Sequence, residues 1–382
     1  MALETATHID DLVAANPTGL DDRRTVDDHI RMIKDVLVRD LPLDAPASTV
    51  GMNVLKGATS EAIRSLLGAS NTPFRNRVIN GDMTINNRGQ ATLVVAGAPL
   101  VYTLDRFYAY CSGGNINVEQ FVGTGSKKRM SITSTNGSNT GVVVGTRLSL
   151  FNTNDLVNKN ATLSCSLKIG TGTINVNWAV YYANGPESFG TIASPARTAI
   201  ASGTFAATTT ETIFSATMAV PSPAFTGIEI VFSTGALNNS GFPLLIADVQ
   251  FEKGSISASD IVFENIDAPL QEARCAYYYR KTTGAYGVTV LGSGHQNSTT
   301  VSRITLPINK MRSIPVVAFG GNVLVDIAGA TSAATLSTQY NSQNTVAFDV
   351  THAAIGAAGG AAMLQLPINV TNYIEIDAEM YA

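Results

Sequence analysis

Charged residues are scarce in this chain. Asp, Glu, Lys and Arg make up 14% of its 382 residues, whereas about 25% is typical of globular domains. Hydrophobic residues account for 45%, and the mean hydropathy is +0.14. So sparsely charged a surface leaves apolar area in water, and oligomerisation is one way to bury it. The net charge of −4, without an extended basic run, argues against nucleic-acid binding, which needs clustered Lys and Arg.

The residue types that build metal and redox sites are also few. Three cysteines lie far apart with no CxxC spacing, which excludes a disulfide framework and a cysteine zinc site. They are predicted to be buried free thiols: Cys111, Cys165 and Cys275. The four histidines have no His or Cys partner at ligand spacing: His8, His29, His295 and His352. The sequence therefore predicts no metal site and no cofactor.

Catalytic motifs are missing as well. The chain has no HExxH, Walker, GxSxG or EF-hand pattern. A pair of carboxylates could hydrolyse glycans, and the nearest candidates are Asp105, Glu119 and Glu252. Nothing in the sequence pairs them, so we predict that the chain is not an enzyme.

Long hydrophobic runs are absent, too. The start, Met1-Ala2-Leu3-Glu4-Thr5, has neither the basic nor the apolar region of a signal peptide. The longest apolar runs fall far short of the roughly 20 residues that a membrane helix needs. We therefore expect synthesis in the cytoplasm, without membrane insertion.

Charged residues are concentrated near the N-terminus, where residues 1–45 hold ten acidic and five basic side chains. A helix is predicted from Thr25, a suitable N-cap, to the residue before Pro42. Its apolar residues have the four-three-four spacing of a coiled-coil seam, and Ile at seam positions favours trimers: Val26, Ile30, Ile33 and Leu37. An amphipathic helix packed on its own domain is the alternative reading.

The remainder is typical of β structure, with short alternating runs between Gly- and Pro-rich turns, which favours a β-sandwich. The run from Ile174 to Tyr182 alternates most regularly. Its even positions form an apolar face, so Trp178, the single tryptophan, is predicted to pack in the core. Tyr181, on the opposite face, is the better candidate for sugar stacking.

The N-terminal segment resembles the module that opens many bacteriophage tail-fibre and tail-spike proteins. The matching stretches are Ile9-Asp10-Asp11-Leu12 and Asp27-Asp28-His29-Ile30-Arg31. In that family the module attaches the fibre to the virion. The resemblance implies an attachment role for Ile9, Asp10, Asp11, Leu12, Asp27, Asp28, His29 and Arg31.

A second resemblance covers the middle of the chain. Asn80-Gly81-Asp82, Asn87-Arg88-Gly89 and Asp105-Arg106-Phe107 are similar to the opening of a domain that recurs in phage tail fibres. Val249-Gln250-Phe251-Glu252-Lys253-Gly254 followed by Val262-Phe263-Glu264 is similar to its end. The resemblance implies a jelly-roll sandwich like those of carbohydrate-binding domains.

Two features lie beyond it. Residues 270–280 could form a short helix leading into a strand, with Tyr277, Tyr278 and Tyr279 packing between domains or subunits. The last predicted strand, Tyr373–Met380, has an apolar face and places Glu375, Asp377 and Glu379 outward.

Together these observations predict a mainly β chain: a short N-terminal helical, coiled-coil-like anchor followed by two β-sandwich or jelly-roll domains, in a trimeric fibre. The predicted parts are a virion-attachment module (1–45), a linker with a short helix (46–74), a jelly-roll domain (75–268), a linker (269–283) and a C-terminal sandwich tip (284–382).

The predicted function is that of a structural tail-fibre protein, located in the virion, that adheres to the host-cell surface through its distal domains. Its expected partners are two further copies of itself, structural proteins of the phage tail, baseplate or portal region, and a host surface glycan or outer-membrane component. The receptor-binding residues are unknown, and exposed loops at Gly292–Asn297 and Asn341–Asn344 are the places to seek them. A head-decoration or collar fibre and a depolymerase of capsular or O-antigen glycan remain as alternatives.

Overall fold

The computed structural model describes residues 74–89, 92–135, 139–237, 243–284 and 288–381. They all belong to the second of two units, Phe74–Ala382, into which the chain divides. The predicted attachment residues, the coiled-coil seam and the linker with its short helix lie outside the described residues.

Strands dominate the described residues. The strands are β1 Thr92–Val94, β2 Val101–Leu104, β3 Phe107–Ser112, β4 Ile116–Val122, β5 Lys128–Ser134, β6 Gly141–Leu148, β7 Asn160–Ile169, β8 Ile174–Ala183, β9 Arg197–Ala207, β10 Thr212–Ala219, β11 Ile228–Thr234, β12 Leu244–Lys253, β13 Tyr279–Gly284, β14 Thr289–Ser298, β15 Val301–Pro307, β16 Val316–Gly320, β17 Val323–Ile327, β18 Ala330–Asn341, β19 Thr345–His352, β20 Ala361–Leu366 and β21 Asn369–Asp377. The α-helices are α1 Leu150–Thr153 and α2 Ala268–Ala276, and 3₁₀ turns lie at Thr124–Ser126, Asn154–Leu156, Ser222–Thr226 and Ala258–Asp260.

The first twelve strands form the predicted β-sandwich. One sheet has the order β1-β4-β5-β12-β7-β10, and the other has the order β2-β3-β6-β11-β8-β9. A single large hydrophobic core draws residues from both sheets. Strand β8 shows the alternation that the sequence predicts, since Val176, Trp178 and Val180 are buried while Asn175 and Asn177 are exposed.

The residues that resemble the fibre domain meet where the sandwich starts and ends, and the Val249 N–H donates to the Gly81 carbonyl at 2.9 Å. The Asn80 amide donates to the carbonyls of Ile85 and Asp105, at 2.9 Å each. The side chain of Gln250 donates to Glu252 at 2.6 Å and accepts the backbone N–H of Glu264 at 2.9 Å. These signature residues are buried and serve the architecture.

Gly81 marks the closest approach between these two segments. A Cβ at this position would lie 2.0 Å from the carbonyl oxygen of Val249, which cannot rotate away as a side chain could. We expect Gly81→Ala to destabilise the unit by about 1–3 kcal/mol in urea unfolding. Gly235→Ala is the matched control, because nothing lies within 4 Å of an added Cβ there. Equal stabilities of the two variants would contradict this account.

The C-terminal strands differ from the sandwich that the sequence predicts. Six of them close into a barrel in the order β14-β15-β19-β18-β17-β20, beside a three-stranded sheet β13-β21-β16. Both sheets contribute to one hydrophobic core. The prediction of a second sandwich was wrong here. Alternation along a strand shows only that one of its faces is buried, and this is equally true of strands in a barrel and in a sandwich. The closing contact of β20 with β14 and β17 leaves no local sign in the sequence.

The segment joining sandwich and barrel follows the predicted pattern. Helix α2 leads directly into β13, and Tyr278 and Tyr279 are each 1% exposed. All three cysteines are buried free thiols, as predicted. The orientation predicted for Glu379 was wrong: β21 ends at Asp377 and Glu379 is buried. Because Glu379 lies beyond the end of the strand, the alternation of side chains along β21 does not determine which way it points.

Candidate binding site on the outer face of the sandwich

A depression of about 350 Å³ lies on the outer face of the sandwich. It crosses three neighbouring strands, β9, β8 and β11, of the second sheet. Its lining contains uncharged residues only: Asn177, Trp178, Ala179, Tyr181, Ser202, Gly203, Thr204, Val231 and Ser233. Strand alternation explains the set, because the odd residues of β8 and β11 point away from the core.

The polar side chains of the depression are held in place by cross-strand contacts. Thr204 lies opposite Asn177, and its hydroxyl donates to the Asn177 amide oxygen at 2.8 Å. This bond fixes the orientation of the amide. Its NH₂ group has no partner within the described residues and is available as a donor to a ligand.

Trp178 belongs to the core and also borders the depression. Its ring stacks on Phe205 with centroids 5.7 Å apart, so the predicted core packing is confirmed. The residue opposite Trp178 on β9 is Gly203. A Cβ on Gly203 would lie 2.8 Å from the indole, so the glycine leaves room for the indole ring on the core side of the sheet.

Tyr181 stands on the outer face, as the sequence predicts, and is half-buried. The Arg197 guanidinium lies 4.3 Å from its ring centroid, close enough for a cation–π interaction. Arg197 also pairs with Glu229. Burial opposes the charged form of this arginine, but Glu229 raises its pKa above the ordinary value, so Arg197 stays charged.

Glu229 organises the neighbouring part of the same face. Its buried carboxylate accepts hydrogen bonds from the Tyr108 hydroxyl and from Arg147 Nε, both at 2.7 Å, as well as from Arg197. Burial, followed by the negative charge of Glu229, raises the pKa of Tyr108 well above its usual value. Glu229 thereby links side chains of β3, β6 and β9 at the border of the depression.

The C-terminal segment covers the far end of this face. Tyr102 donates to the carbonyl of Met380 at 3.1 Å, and its ring meets Tyr381 edge to face with centroids 5.1 Å apart. Beneath this segment, Arg106 pairs with Glu379 and lies 3.5 Å from the Tyr278 ring centroid, while Arg88 lies 3.7 Å from that of Tyr279. The predicted packing role of these tyrosines is confirmed within one chain.

The three carboxylates considered for hydrolysis have separate surroundings. Asp105 accepts the N–H of Asn87 at 2.6 Å, and Glu252 lies 3.0 Å from Arg75. Both belong to the buried signature of the sandwich, whereas Glu119 is exposed on β4. In the described ranges, no group of three or more His, Cys, Asp and Glu side chains could hold a metal ion.

One of the two segments proposed for receptor contact is not a loop. Gly292–Asn297 lies inside β14, because Gly292 and Gly294 let its backbone approach β15 closely. Added Cβ atoms there would lie 2.7 Å and 1.7 Å from carbonyl oxygens of β15. Asn341 ends β18, and only residues 342–344 form the connection to β19.

As for membranes, the described helices include none that is long and apolar enough to cross one.

The comparisons with known proteins find carbohydrate-binding modules among solved structures. No protein-family model and no curated protein sequence matches the chain. A xylan-binding family 22 module of Paenibacillus barcinonensis has 11% identity and a TM-score of 0.26, over 39% of this chain and 87% of that one. A family 11 module of Clostridium thermocellum, solved with a mixed-linked tetrasaccharide, has 9% identity and a TM-score of 0.28, over 43% and 99%. Matches at this level say nothing about what this chain binds.

Proposed function

We propose that the sandwich binds a glycan in the depression beside Tyr181, and that the chain is an adhesion fibre of a bacteriophage tail. The glycan-binding part of this proposal rests on the depression. Sugars present hydroxyl groups at their edges and an apolar C–H face. Sites for such ligands combine a few well-placed polar groups with aromatic surface. Asn177, Ser202, Thr204 and Ser233 supply the polar groups, while Tyr181 supplies the aromatic surface.

The fibre assignment is supported by the two resemblances described above, at the N-terminal segment and around Asn80 and Gln250. We propose a homotrimer located in the virion, anchored through residues 1–45 to a structural protein of the particle. Three weak glycan sites on one fibre would raise avidity through their effective concentration. The low charge of the chain is in keeping with subunits that bury surface against one another.

We also propose that adhesion proceeds without catalysis. The carboxylates of Asp105 and Glu252 are occupied in holding the sandwich together, which supports this reading over a glycan depolymerase. Release of oligosaccharides from host polysaccharide by the purified protein would contradict it. Cryo-electron microscopy of the virion would separate a tail fibre from a head or collar fibre.

Substitutions in the depression test the glycan site. We expect Tyr181→Ala and Asn177→Ala each to weaken binding to host surface polysaccharide by roughly fivefold to tenfold, because each loses ring contact or hydrogen bonds. Affinity electrophoresis or calorimetry would measure the loss. Asn175→Ala is the matched control, since Asn175 is exposed on the same face of β8 but outside the lining. Unchanged binding by both lining variants would contradict the proposal.

A further inference from the structure

Four side chains from neighbouring strands form a cluster on the outer wall of the barrel. His295 on β14 lies opposite Arg303 on β15, and Arg303 lies opposite Asp349 on β19. Arg303 binds Asp349 through two bonds, Nε to Oδ1 at 2.8 Å and the second nitrogen to Oδ2 at 2.9 Å. The fourth member is Tyr340 on β18, whose ring centroid lies 4.6 Å from the Arg303 guanidinium. We call these residues the barrel-wall surface.

Tyr340, the aromatic residue of the barrel-wall surface, has small side chains beside it on the neighbouring strands. Tyr340 is 51% exposed, although a tyrosine gains most by burying its ring. It lies opposite Ala347, which is followed along the row by Thr305 and then Ser293. Met363, 40% exposed, lies opposite Ser293 at the far end. The wall therefore offers a floor of small side chains between two exposed apolar ones.

The ion pair of this surface is unusual for its surroundings. Within the described residues, Arg303–Asp349 is the one ion pair that joins two strands of the barrel. A cross-strand ion pair on an exposed wall adds only a little to the stability of a sheet. The Tyr340 hydroxyl takes part in the same group of contacts, yet about half of this residue stays exposed.

The chemistry of the surface points to an uncharged ligand. The guanidinium and the carboxylate neutralise each other, so neither an anionic nor a cationic group would find an unopposed charge. The bond from Arg303 lowers the pKa of Asp349, so this carboxylate remains an acceptor. The Tyr340 hydroxyl lies within hydrogen-bonding reach of Arg303 and Asp349, and the His295 imidazole can bond to a hydroxyl group of a ligand.

We propose that the barrel-wall surface binds a neutral hexose unit of a glycan, as a second site separate from the depression in the sandwich. The sugar's C–H face stacks on the Tyr340 ring. Asp349 accepts a hydrogen bond from one hydroxyl, and Arg303 donates to its neighbour. The inference uses no residue of the depression, so it goes beyond the proposed function and stands or falls separately.

Saturation-transfer NMR on the full chain tests the second site. The probes are neutral gluco-, galacto- and manno-oligosaccharides, with uronate-containing oligosaccharides as a charged comparison. We expect at least one neutral probe to bind, Tyr340→Ala to weaken that binding about tenfold or more, and Tyr340→Phe to stay within about threefold of the wild type. Arg303→Lys keeps the charge but loses the two-bond geometry, and should weaken binding about as much as Tyr340→Ala.

Controls separate this site from the depression and from misfolding. Phe151→Ala removes an exposed ring on α1 of the sandwich and should leave binding unchanged. Tyr181→Ala, a variant of the depression, should leave binding of the probe at the barrel-wall surface unchanged. Binding that Tyr340→Ala leaves intact would overturn the proposal. So would a response to none of the neutral probes, or only to the uronates.

Discussion

Replacing Arg106 with methionine is expected to lower the free energy of unfolding by about 3–5 kcal/mol, the usual cost of leaving one partner of a buried ion pair alone. Arg106 is 1% exposed and the Glu379 side chain is fully buried. The guanidinium also donates to the Arg147 carbonyl and lies against the Tyr278 ring. Its loss therefore affects the contact between the sandwich and the C-terminal segment at several points. Urea unfolding followed by circular dichroism would measure the change.

Arg77→Met is the matched control for this prediction. Arg77 pairs with Asp155 at 2.6 Å, but the two side chains are 23% and 47% exposed. An exposed pair of this kind contributes about 0–1 kcal/mol. If the Arg106 variant lost no more stability than the Arg77 variant, the buried pair would not be what holds the C-terminal segment against the sandwich.

Lowering the pH from 7 to 4 is expected to stabilise the wild type relative to Asp105→Asn by about 2 kcal/mol. Burial, opposed by Arg88, raises the pKa of Asp105 to about 6. In the unfolded chain an aspartate titrates near pH 4, at about 3.9. The folded state therefore binds the proton more tightly. The stabilisation is fully present below about pH 4 and is lost as the pH rises through about 6.

The comparison with Asp105→Asn isolates this group. One carboxylate oxygen of Asp105 accepts the Asn87 N–H, and asparagine can keep that bond. The other oxygen is buried without a hydrogen-bond partner, so the substitution carries a constant cost of its own. Only the change of the stability difference with pH is diagnostic. A flat difference would show that the charge of Arg88 fully offsets burial, and one that grows as the pH rises would show that it outweighs burial.

The local predictions from sequence succeeded where one face of a strand decides the outcome. The alternation from Ile174 to Tyr182 correctly placed Trp178 in the core and Tyr181 on the outer face, because side chains on a strand point to alternate sides. It could not show that Gly203 lies opposite Trp178. That juxtaposition depends on the register between β8 and β9, which the sequence of either strand leaves open.

Long-range contacts account for what the sequence did not predict. Glu379 looked like an outward residue because nothing in Tyr373–Met380 indicates that Arg106 lies against it. These two residues are separated by 273 positions. The Asp105-Arg106 pair stood out only through its resemblance to a fibre domain, and its role in joining sandwich and barrel became visible in three dimensions. The barrel was not predicted for the same reason, because its closure depends on the long-range pairing of β14 with β20.

The fluorescence of the single tryptophan tests the central claim most directly. Trp178 is the one tryptophan of the chain, and its strand β8 lines the proposed glycan site. Titrating the full chain with host surface polysaccharide should change the Trp178 emission in a saturable way. Tyr181→Ala should need about tenfold more ligand for the same change, whereas Asn175→Ala should match the wild type. Polysaccharide binding with no change in Trp178 emission would contradict a glycan site in the depression.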